Sequence, residues 1–307
     1  MVARTTLGRA QRVIIAGHID TVPISTNSSG GNVPSRVADG QLFGRGSVDM
    51  KAGVAVALSL AGELTEPRYD LTWIFYDHEE VDSALNGLGR IARTRPELLA
   101  ADFAVLGEPT GGEVEGGCNG TLRVDVILRG RRAHSARAWM GENAIHRAAP
   151  ILATLAAYAP EEVEVDGLVY REALNAVLIR GGVATNVIPD ECVVHVNYRF
   201  APSRTGAEAE AHLRGLFPDA EVVTVDLAEG ARPGLDDPLA QAFVAAVGGE
   251  ARPKYGWTDV ARFSALGIPA VNYGPGDPSL AHADDERVPV EQIERCERGL
   301  RAWLSGS

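Results

Sequence analysis

Val13-Ile14-Ile15-Ala16-Gly17-His18-Ile19-Asp20 is an aliphatic run that passes directly into a polar loop. Such a run predicts a strand buried on both faces, as in the parallel sheets of α/β proteins. The arrangement recurs at residues 71–80, 103–108 and 270–282, where apolar runs lead to Glu80, Glu108 and His282. Open α/β sheets bind their ligands at the carboxyl ends of the strands. The four segments therefore predict one sheet with polar side chains gathered along one edge.

Side chains that bind metals stand in five short segments. These are Gly17-His18-Ile19-Asp20, Gly46-Ser47-Val48-Asp49-Met50-Lys51, His78-Glu79-Glu80, Gly107-Glu108-Pro109-Thr110 and Ala281-His282-Ala283. Imidazole and carboxylate are the donors of carboxylate-rich zinc sites. Alone, a Glu-Glu pair indicates a solvated helix start and a histidine indicates a structural residue. Their joint occurrence after apolar strands favours a dinuclear metallohydrolase.

In these segments the chain resembles the dizinc aminoacylase and carboxypeptidase superfamily of metallopeptidases, over nearly its whole length. The resemblance implies an α/β catalytic domain with a mixed sheet flanked by helices. It also implies two Zn²⁺ ions, for which Co²⁺ can substitute. His18 and Glu108 would hold one zinc, Glu80 and His282 the other, and Asp49 would bridge them. The remaining histidines outside the lid motif match no implied ligand position, and we interpret them as surface or helix residues: His78, His146, His195 and His212.

The resemblance also assigns residues around the metals. Asp20 would orient the His18 ring, Glu79 would act as the general base, and the Asp49-Met50 peptide would be cis. His134, in Ala133-His134-Ser135-Ala136, resembles a lid histidine that reaches the active site of the partner subunit in a homodimer. The alternative for His134 is a turn histidine that follows a strand.

Substrate contacts are implied at Asn186, Arg199, Thr258 and Arg262. A small anionic N-acyl diamino acid needs planar, bidentate donors, which favours arginine. The segments 107–110, 256–263 and 272–278 look most like the desuccinylase branch of the superfamily. Acetylornithine deacetylases and other N-acyl-amino-acid hydrolases share the metal motifs and stay open as alternatives. Outside enzymes, a non-catalytic scaffold dimer is the alternative, against which the retained Glu79 argues.

The composition excludes some partners. With 29 basic and 41 acidic residues among 307, the net charge of -12 argues against nucleic acid and anionic membranes. The three widely spaced cysteines, Cys118, Cys192 and Cys296, predict free thiols in a reducing compartment. No apolar run reaches the roughly 18 residues of a membrane span, and the first residues lack the apolar core of a signal peptide. We therefore expect a cytoplasmic protein.

The hydrophobic pattern changes along the chain and predicts two domains. Up to about residue 112 apolar runs alternate with helical patterns, whereas from about residue 117 strands of period two appear. Strands near 121–129, 176–180, 192–199 and 221–225, with helices from 143 and 207, give the order βαββαβ of a ferredoxin-like α+β sandwich. We expect an inserted lid and dimerisation domain at 116–228 and a catalytic domain at 1–115 and 229–307. Residues 25–40 are interpreted as a loop.

Few residues precede the Val13 strand. Members of the superfamily usually begin with a further helix and strand, whereas this chain has only about a dozen residues there. Either the start codon is placed downstream of the true one or the enzyme is shortened. We expect an uncovered sheet surface and strand edge beside Val13, and with them lower stability and weak activity.

Overall fold

The aliphatic run from Val13 forms an inner strand of a seven-stranded sheet in the computed structural model, which describes residues 1–24 and 33–306. The chain divides into a larger unit, Met1–Gly117, Pro233–Lys254 and Thr258–Ser307, and a smaller unit, Cys118–Arg232 and Tyr255–Trp257. Numbered along the chain, the larger unit begins with β1 (Val2–Arg4), β2 (Arg12–His18), β3 (Arg36–Ala38), β4 (Gln41–Phe43), α1 (Ala52–Glu63), β5 (Asp70–Tyr76), α2 (Gly87–Thr94), β6 (Phe103–Leu106) and β7 (Glu115–Gly116).

The smaller unit follows, and the larger unit then resumes. The smaller unit contains β8 (Gly120–Arg129), β9 (Ala133–His134), α3 (Ala149–Ala157), β10 (Glu162–Val165), β11 (Leu168–Arg171), β12 (Ala173–Gly181), β13 (Val187–Ile188), β14 (Glu191–Phe200), α4 (Gly206–Leu216) and β15 (Glu221–Ala228). The larger unit is completed by α5 (Pro238–Val247), β16 (Arg252–Pro253), α6 (Val260–Ala265), β17 (Ala270–Asn272), β18 (Arg287–Pro289) and α7 (Val290–Ser305).

The large sheet is mixed, with the order β1-β5-β2-β6-β17-β7-β16. Strands β5, β2, β6 and β17 are neighbours and run parallel. They are the four runs that the sequence predicts as ligand-bearing strands, and their carboxyl ends share one edge, so this prediction is confirmed. The expected α/β class, with a mixed sheet flanked by helices, is confirmed as well.

The expectation of an uncovered sheet surface and strand edge beside Val13 is wrong, because the Val13 strand is buried. Strand β5 pairs with it on one side and β6 on the other, and β1 extends the sheet beyond β5. Residues 13–16 are at most 2% exposed. Strand β2 therefore has a neighbour on each side, and the few residues before it add a further strand next to β5.

Helix α1 lies unusually close to the sheet. A Cβ atom added at Gly53 would lie 2.0 Å from the carbonyl oxygen of Gly107, the residue after β6 and before Glu108. Only glycine permits this approach of two backbones. Val54 on the same helix joins Val13 and other buried residues in the main core of the unit. The small-residue helix predicted at 52–61 is confirmed.

The smaller unit has an antiparallel sheet in the order β12-β14-β8-β15. The four strands of this sheet and the helices α3 and α4 follow one another in the order βαββαβ, as the sequence predicts. Helix α3 begins at Ala149 rather than at 143, because Pro150 suits a first helical turn and a short 3₁₀ turn precedes it. On the edge strand β12 the side chains of Val177, Leu178 and Ile179 are 58%, 54% and 48% exposed.

Three further sequence predictions concern single features. The loop interpretation of residues 25–40 is wrong at β3, which pairs with β4 in a short hairpin, and residues 25–32 lie outside the described part of the chain. Cys118, Cys192 and Cys296 are buried, and in the part of the chain that the structure describes they form no disulfide bond, as the sequence predicts. Among the described residues, no helix has both the length and the apolar character needed to cross a membrane.

Candidate metal centre

Asp49 stands between two histidines that come from distant parts of the chain. Residues Ser47–Lys51 form an irregular helical turn before α1, and the Asp49-Met50 peptide is cis. One carboxylate oxygen of Asp49, Oδ1, lies 3.0 Å from Nε2 of His18, at the end of β2. The other oxygen, Oδ2, lies 3.3 Å from Nε2 of His282. The two oxygens of one carboxylate therefore face two imidazoles, which is the arrangement of a bridging ligand.

Each histidine has a second carboxylate beside it. Glu108, in the loop after β6, places Oε1 4.0 Å from Nε2 of His18. Glu80, in the loop after β5, places Oε1 3.2 Å from Nε2 of His282. Within each of the two resulting triads the ligand atoms lie within 4.8 Å of one another: His18, Asp49 and Glu108 in one, and Asp49, Glu80 and His282 in the other.

Asp20 and Glu79 lie beside these triads. Asp20 Oδ1 is 3.6 Å from Nδ1 of His18, the ring nitrogen that faces away from Asp49. Its other oxygen accepts a hydrogen bond from the backbone N–H of Glu80 at 3.1 Å. Asp20 thus connects the His18 ring to the loop after β5. A carboxylate oxygen of Glu79 lies within 4.8 Å of ligand atoms of His18 and Glu80.

The two imidazoles hold protons tightly when no cation is bound. Burial lowers the pKa of His18, but the neighbouring carboxylates of Asp20, Asp49 and Glu108 outweigh it, so that the pKa lies well above its ordinary value. The hydrogen bond with Asp49 raises the pKa of His282 to about 9. His282 also adopts a left-handed backbone conformation, with φ 65°, of the kind that concentrates at functional sites.

The carboxylates lie close together, and their pKa values are shifted in opposite directions. Burial raises the pKa of Glu108 to about 7, and the nearby charge of Asp49 adds to the effect. Burial together with the charge of Glu108 raises the pKa of Glu79 to about 9. Burial also acts to raise the pKa of Asp49, but hydrogen bonds from His18 and His282 hold it below its ordinary value.

A divalent cation fits this arrangement. Carboxylates held beside one another in a partly buried site repel unless a proton or a cation neutralises them, and a bound dication reverses the upward pKa shifts. The donors are nitrogen and oxygen atoms, the set that zinc accepts in carboxylate-rich sites. Each triad supplies three donors, one imidazole nitrogen and two carboxylate oxygens, and Asp49 belongs to both triads.

Two of the residues implied as substrate contacts lie in the larger unit. Thr258 is buried and donates its hydroxyl hydrogen to Oδ1 of Asn272 at 2.9 Å. Arg262 donates through Nε to Asp259 and through Nη2 to Ser83 Oγ, the latter at 3.0 Å. Ser83 follows the Glu79-Glu80 loop, so Arg262 is tied to the segment that carries two residues of the candidate site.

The other two implied contacts, Asn186 and Arg199, lie in the smaller unit, as does His134. His134 is exposed, and its Nδ1 accepts the backbone N–H of Ala136. Asn186 lies beside it, since its carbonyl accepts the N–H of Ser135 at 2.9 Å. Arg199 lies on β14 opposite Thr121 of β8, and burial together with the neighbouring Arg123 lowers its pKa.

Some buried polar residues near the site have no signal in the sequence. Asp259 is fully buried and accepts hydrogen bonds from Nδ2 of Asn86 at 3.0 and 3.3 Å. Lys254, 7% exposed, donates to the carbonyl of Pro109 at 2.8 Å and pairs with Glu115. Lys254 thereby holds the loop that follows Glu108. A lone lysine or aspartate in a sequence gives no indication of such a contact.

Comparisons with known proteins agree on one family. The model of peptidase family M20/M25/M40 matches residues 14–305. A Mycobacterium tuberculosis protein named "Putative succinyl-diaminopimelate desuccinylase DapE" is 56% identical over 308 residues, which are 100% of this chain and 86% of that protein. A succinyl-diaminopimelate desuccinylase of Corynebacterium glutamicum is 52% identical over 314 residues, covering 99% of this chain and 84% of that protein. The solved structure of an M20 family metallo-carboxypeptidase from Sulfolobus solfataricus has a TM-score of 0.78 at 16% identity, covering 99% of this chain and 86% of its own, and supports the fold alone.

Proposed function

The chain belongs to peptidase family M20/M25/M40, and on that basis we propose that it removes succinate from N-succinyl-LL-2,6-diaminopimelate. It is a metal-dependent hydrolase of a linear amide, and its products are succinate and diaminopimelate, a precursor of lysine and of the cell wall. The observation that carries the proposal is identity of 56% and 52% to two proteins named for this activity, over essentially the whole chain. We infer a cytoplasmic location for the reaction, which three cysteines outside any disulfide bond favour among the described residues.

Two divalent cations, zinc by the chemistry of the donors, would bind in the two triads that share Asp49. When bound they would polarise the amide carbonyl and lower the pKa of water to near neutrality. Support for two positions comes from Asp49, whose two oxygens face His18 and His282 separately. Asp20 lies beside Nδ1 of His18, on the far side of the ring, and would orient the ring so that Nε2, which faces Asp49, can bind a cation.

Glu79 is the general base in this proposal. Its carboxylate lies beside the ligand atoms of His18 and Glu80 and does not belong to either triad around Asp49. It would take the proton of the attacking water and pass it to the departing amine, since a carboxylate beside the reacting atoms can accept a proton and return it. Burial and the charge of Glu108 are the causes of the raised pKa of Glu79.

Two arginines and residues of the smaller unit are proposed to recognise the substrate. Arg199 and Arg262 supply planar donors for the carboxylates of the succinylated diamino acid, with Asn186 and Thr258 as polar neighbours. The ion pair of Arg262 with Asp259 fixes the direction of its guanidinium. His134 would stabilise the negative charge that develops on the amide oxygen.

We propose that the protein is a homodimer joined through the smaller unit, with His134 completing the site of the partner. The exposed valine, leucine and isoleucine of β12 support this, because an apolar edge strand favours pairing with another strand. The side chain of His134 is exposed, and its Nδ1 accepts a hydrogen bond from the N–H of Ala136 in its own turn.

A succinate-release assay tests the proposal. Purified, zinc-loaded protein is given succinyl-diaminopimelate and, in parallel, acetylornithine. We expect turnover of the first and little of the second. Preferred release of acetate would assign the chain to the acetylornithine deacetylases. If a protein with verified zinc content hydrolyses neither amide, the proposed activity is wrong.

A further inference from the structure

A buried glutamate outside both triads binds the backbone of the turn that carries Asp49. Glu286 is 1% exposed. Its Oε1 accepts the backbone N–H groups of Val48 at 2.9 Å and Asp49 at 3.2 Å. Its Oε2 accepts the N–H of Gly46 at 2.9 Å and an N–H of Arg45 Nη1 at 2.8 Å. Four hydrogen bonds therefore converge on one carboxylate.

The turn needs such a partner. Backbone N–H groups at the start of a helix have no carbonyl before them to bind, and successive N–H groups in a turn form a concave site for an anion. In this chain the anion is internal. The guanidinium of Arg45, whose side chain is 5% exposed, neutralises it. Without Glu286 the three N–H groups would be buried without acceptors.

The same loop supplies a proposed metal ligand and this carboxylate. His282 and Glu286 both lie between the short turn at Pro278–Leu280 and β18. Arg45 Nη1 also donates to the carbonyl of Ala283 at 3.2 Å, which fixes the loop between the two residues. The segment that places His282 therefore also sets the backbone conformation of Asp49, 237 residues away from Glu286 in the chain.

We propose that Glu286 is a positioning residue that holds the Asp49 carboxylate between the two triads and so controls the metal affinity of both. The inference rests on the proposed metal centre, since it gives a role to a residue that supports it. Asp49 is common to both triads. Displacing its backbone weakens both positions together, whereas loss of His282 weakens one.

The variant Glu286→Gln tests the proposal. It keeps the size of the side chain, but the amide nitrogen cannot accept a hydrogen bond. Either the N–H of Gly46 or the N–H groups of Val48 and Asp49 would then face an amide NH₂ group instead of an acceptor. Glu172→Gln is the matched control, because Glu172 is 2% exposed, accepts Tyr198 Oη at 2.6 Å and the N–H of Ala201 at 2.9 Å, and pairs with Arg204. It lies in the smaller unit and contacts no proposed ligand.

Zinc affinity is measured by competition with a chromophoric chelator, together with zinc content and melting temperature. We expect Glu286→Gln to bind zinc about 10- to 100-fold more weakly at both positions, the usual cost of losing a group that orients ligands. Glu172→Gln should lower the melting temperature and keep the affinity of the unchanged protein. Wild-type affinity at both positions in Glu286→Gln would overturn the proposal.

Two further measurements keep the test decisive. If Glu286→Gln does not fold, Glu286→Asp keeps the charge but is too short to reach both groups of N–H donors, and the same loss of affinity is expected. Hydrogen exchange of the unchanged, metal-free protein is independent of any variant: the amides of Val48 and Asp49 should be protected, and rapid exchange would overturn the proposal. Failure of the unchanged protein to bind zinc would instead count against the proposed function.

Discussion

Replacing Gly53 by alanine tests the close approach of α1 to the end of β6. The new Cβ would lie 2.0 Å from the oxygen and 2.9 Å from the carbon of the Gly107 carbonyl. Ordinary contact begins near 3.4 Å, so helix and strand end must separate by about 1.4 Å. Both groups are backbone, and neither can rotate away as a side chain would.

The matched control lies on the same helix. At Gly62 an added Cβ meets nothing within 4 Å, so Gly62→Ala should gain the roughly 0.5–1 kcal/mol by which alanine exceeds glycine in a helix. Gly53→Ala gains the same propensity but adds overpacking near the upper end of the usual 1–3 kcal/mol. We therefore expect a net loss of about 2 kcal/mol for Gly53→Ala, opposite in sign to the control.

Urea unfolding of metal-free protein measures both variants. Because Glu108 follows Gly107 directly, Gly53→Ala should also weaken zinc binding, while Gly62→Ala should not. Equal stability of the two variants, with equal zinc affinity, would refute the reasoning, because it would mean that α1 and the end of β6 have room for a methyl group.

Three further predictions concern the proposed site. Glu79→Gln should keep its zinc and lose at least a factor of about 10²–10⁴ in turnover, whereas Glu80→Gln should lose zinc; the reverse pattern in zinc content would exchange their roles. Mixing inactive His134→Ala with inactive Glu79→Gln should restore activity through hybrid dimers in which one of the two sites has both groups, and no recovery after verified subunit exchange would contradict action across the dimer. In metal-free protein the raised pKa values of His18 and His282 favour the folded state at low pH, so the free energy of unfolding should fall as pH rises from about 6.5 to about 9. With zinc the trend should reverse, because ligands must lose their protons to bind metal; urea midpoints at both ends of this range, with chelator and with zinc, give the comparison.

The positions of His18, Glu80 and Glu108 could be predicted from the sequence because each lies at or just after the end of an apolar strand. Where a strand such as β2 is buried on both faces, its apolar run is unbroken and its polar end marks the sheet edge. The roles of Asp49 and His282 could not be inferred from strand ends, because a turn and a loop place these residues. The family resemblance supplied their roles.

The contacts that hold the site could not be predicted from the sequence. Glu286 and Lys254 act through backbone groups of distant segments, so no local periodicity or spacing marks them. The error at the Val13 strand has a similar origin. The sequence shows how many residues precede that strand, but not that three of them, Val2–Arg4, pair with β5.

The separation of 237 positions between Asp49 and Glu286 in the chain also affects the order of folding. The smaller unit accounts for about half of this stretch, and its ends meet where Cys118 pairs with Ala231. Once that unit is folded, the loop to be closed is roughly halved, which lowers the entropic cost of closure by about 0.6 kcal/mol. Mutations that slow folding of the smaller unit should therefore delay zinc uptake by a nascent or refolding chain, although they change no ligand.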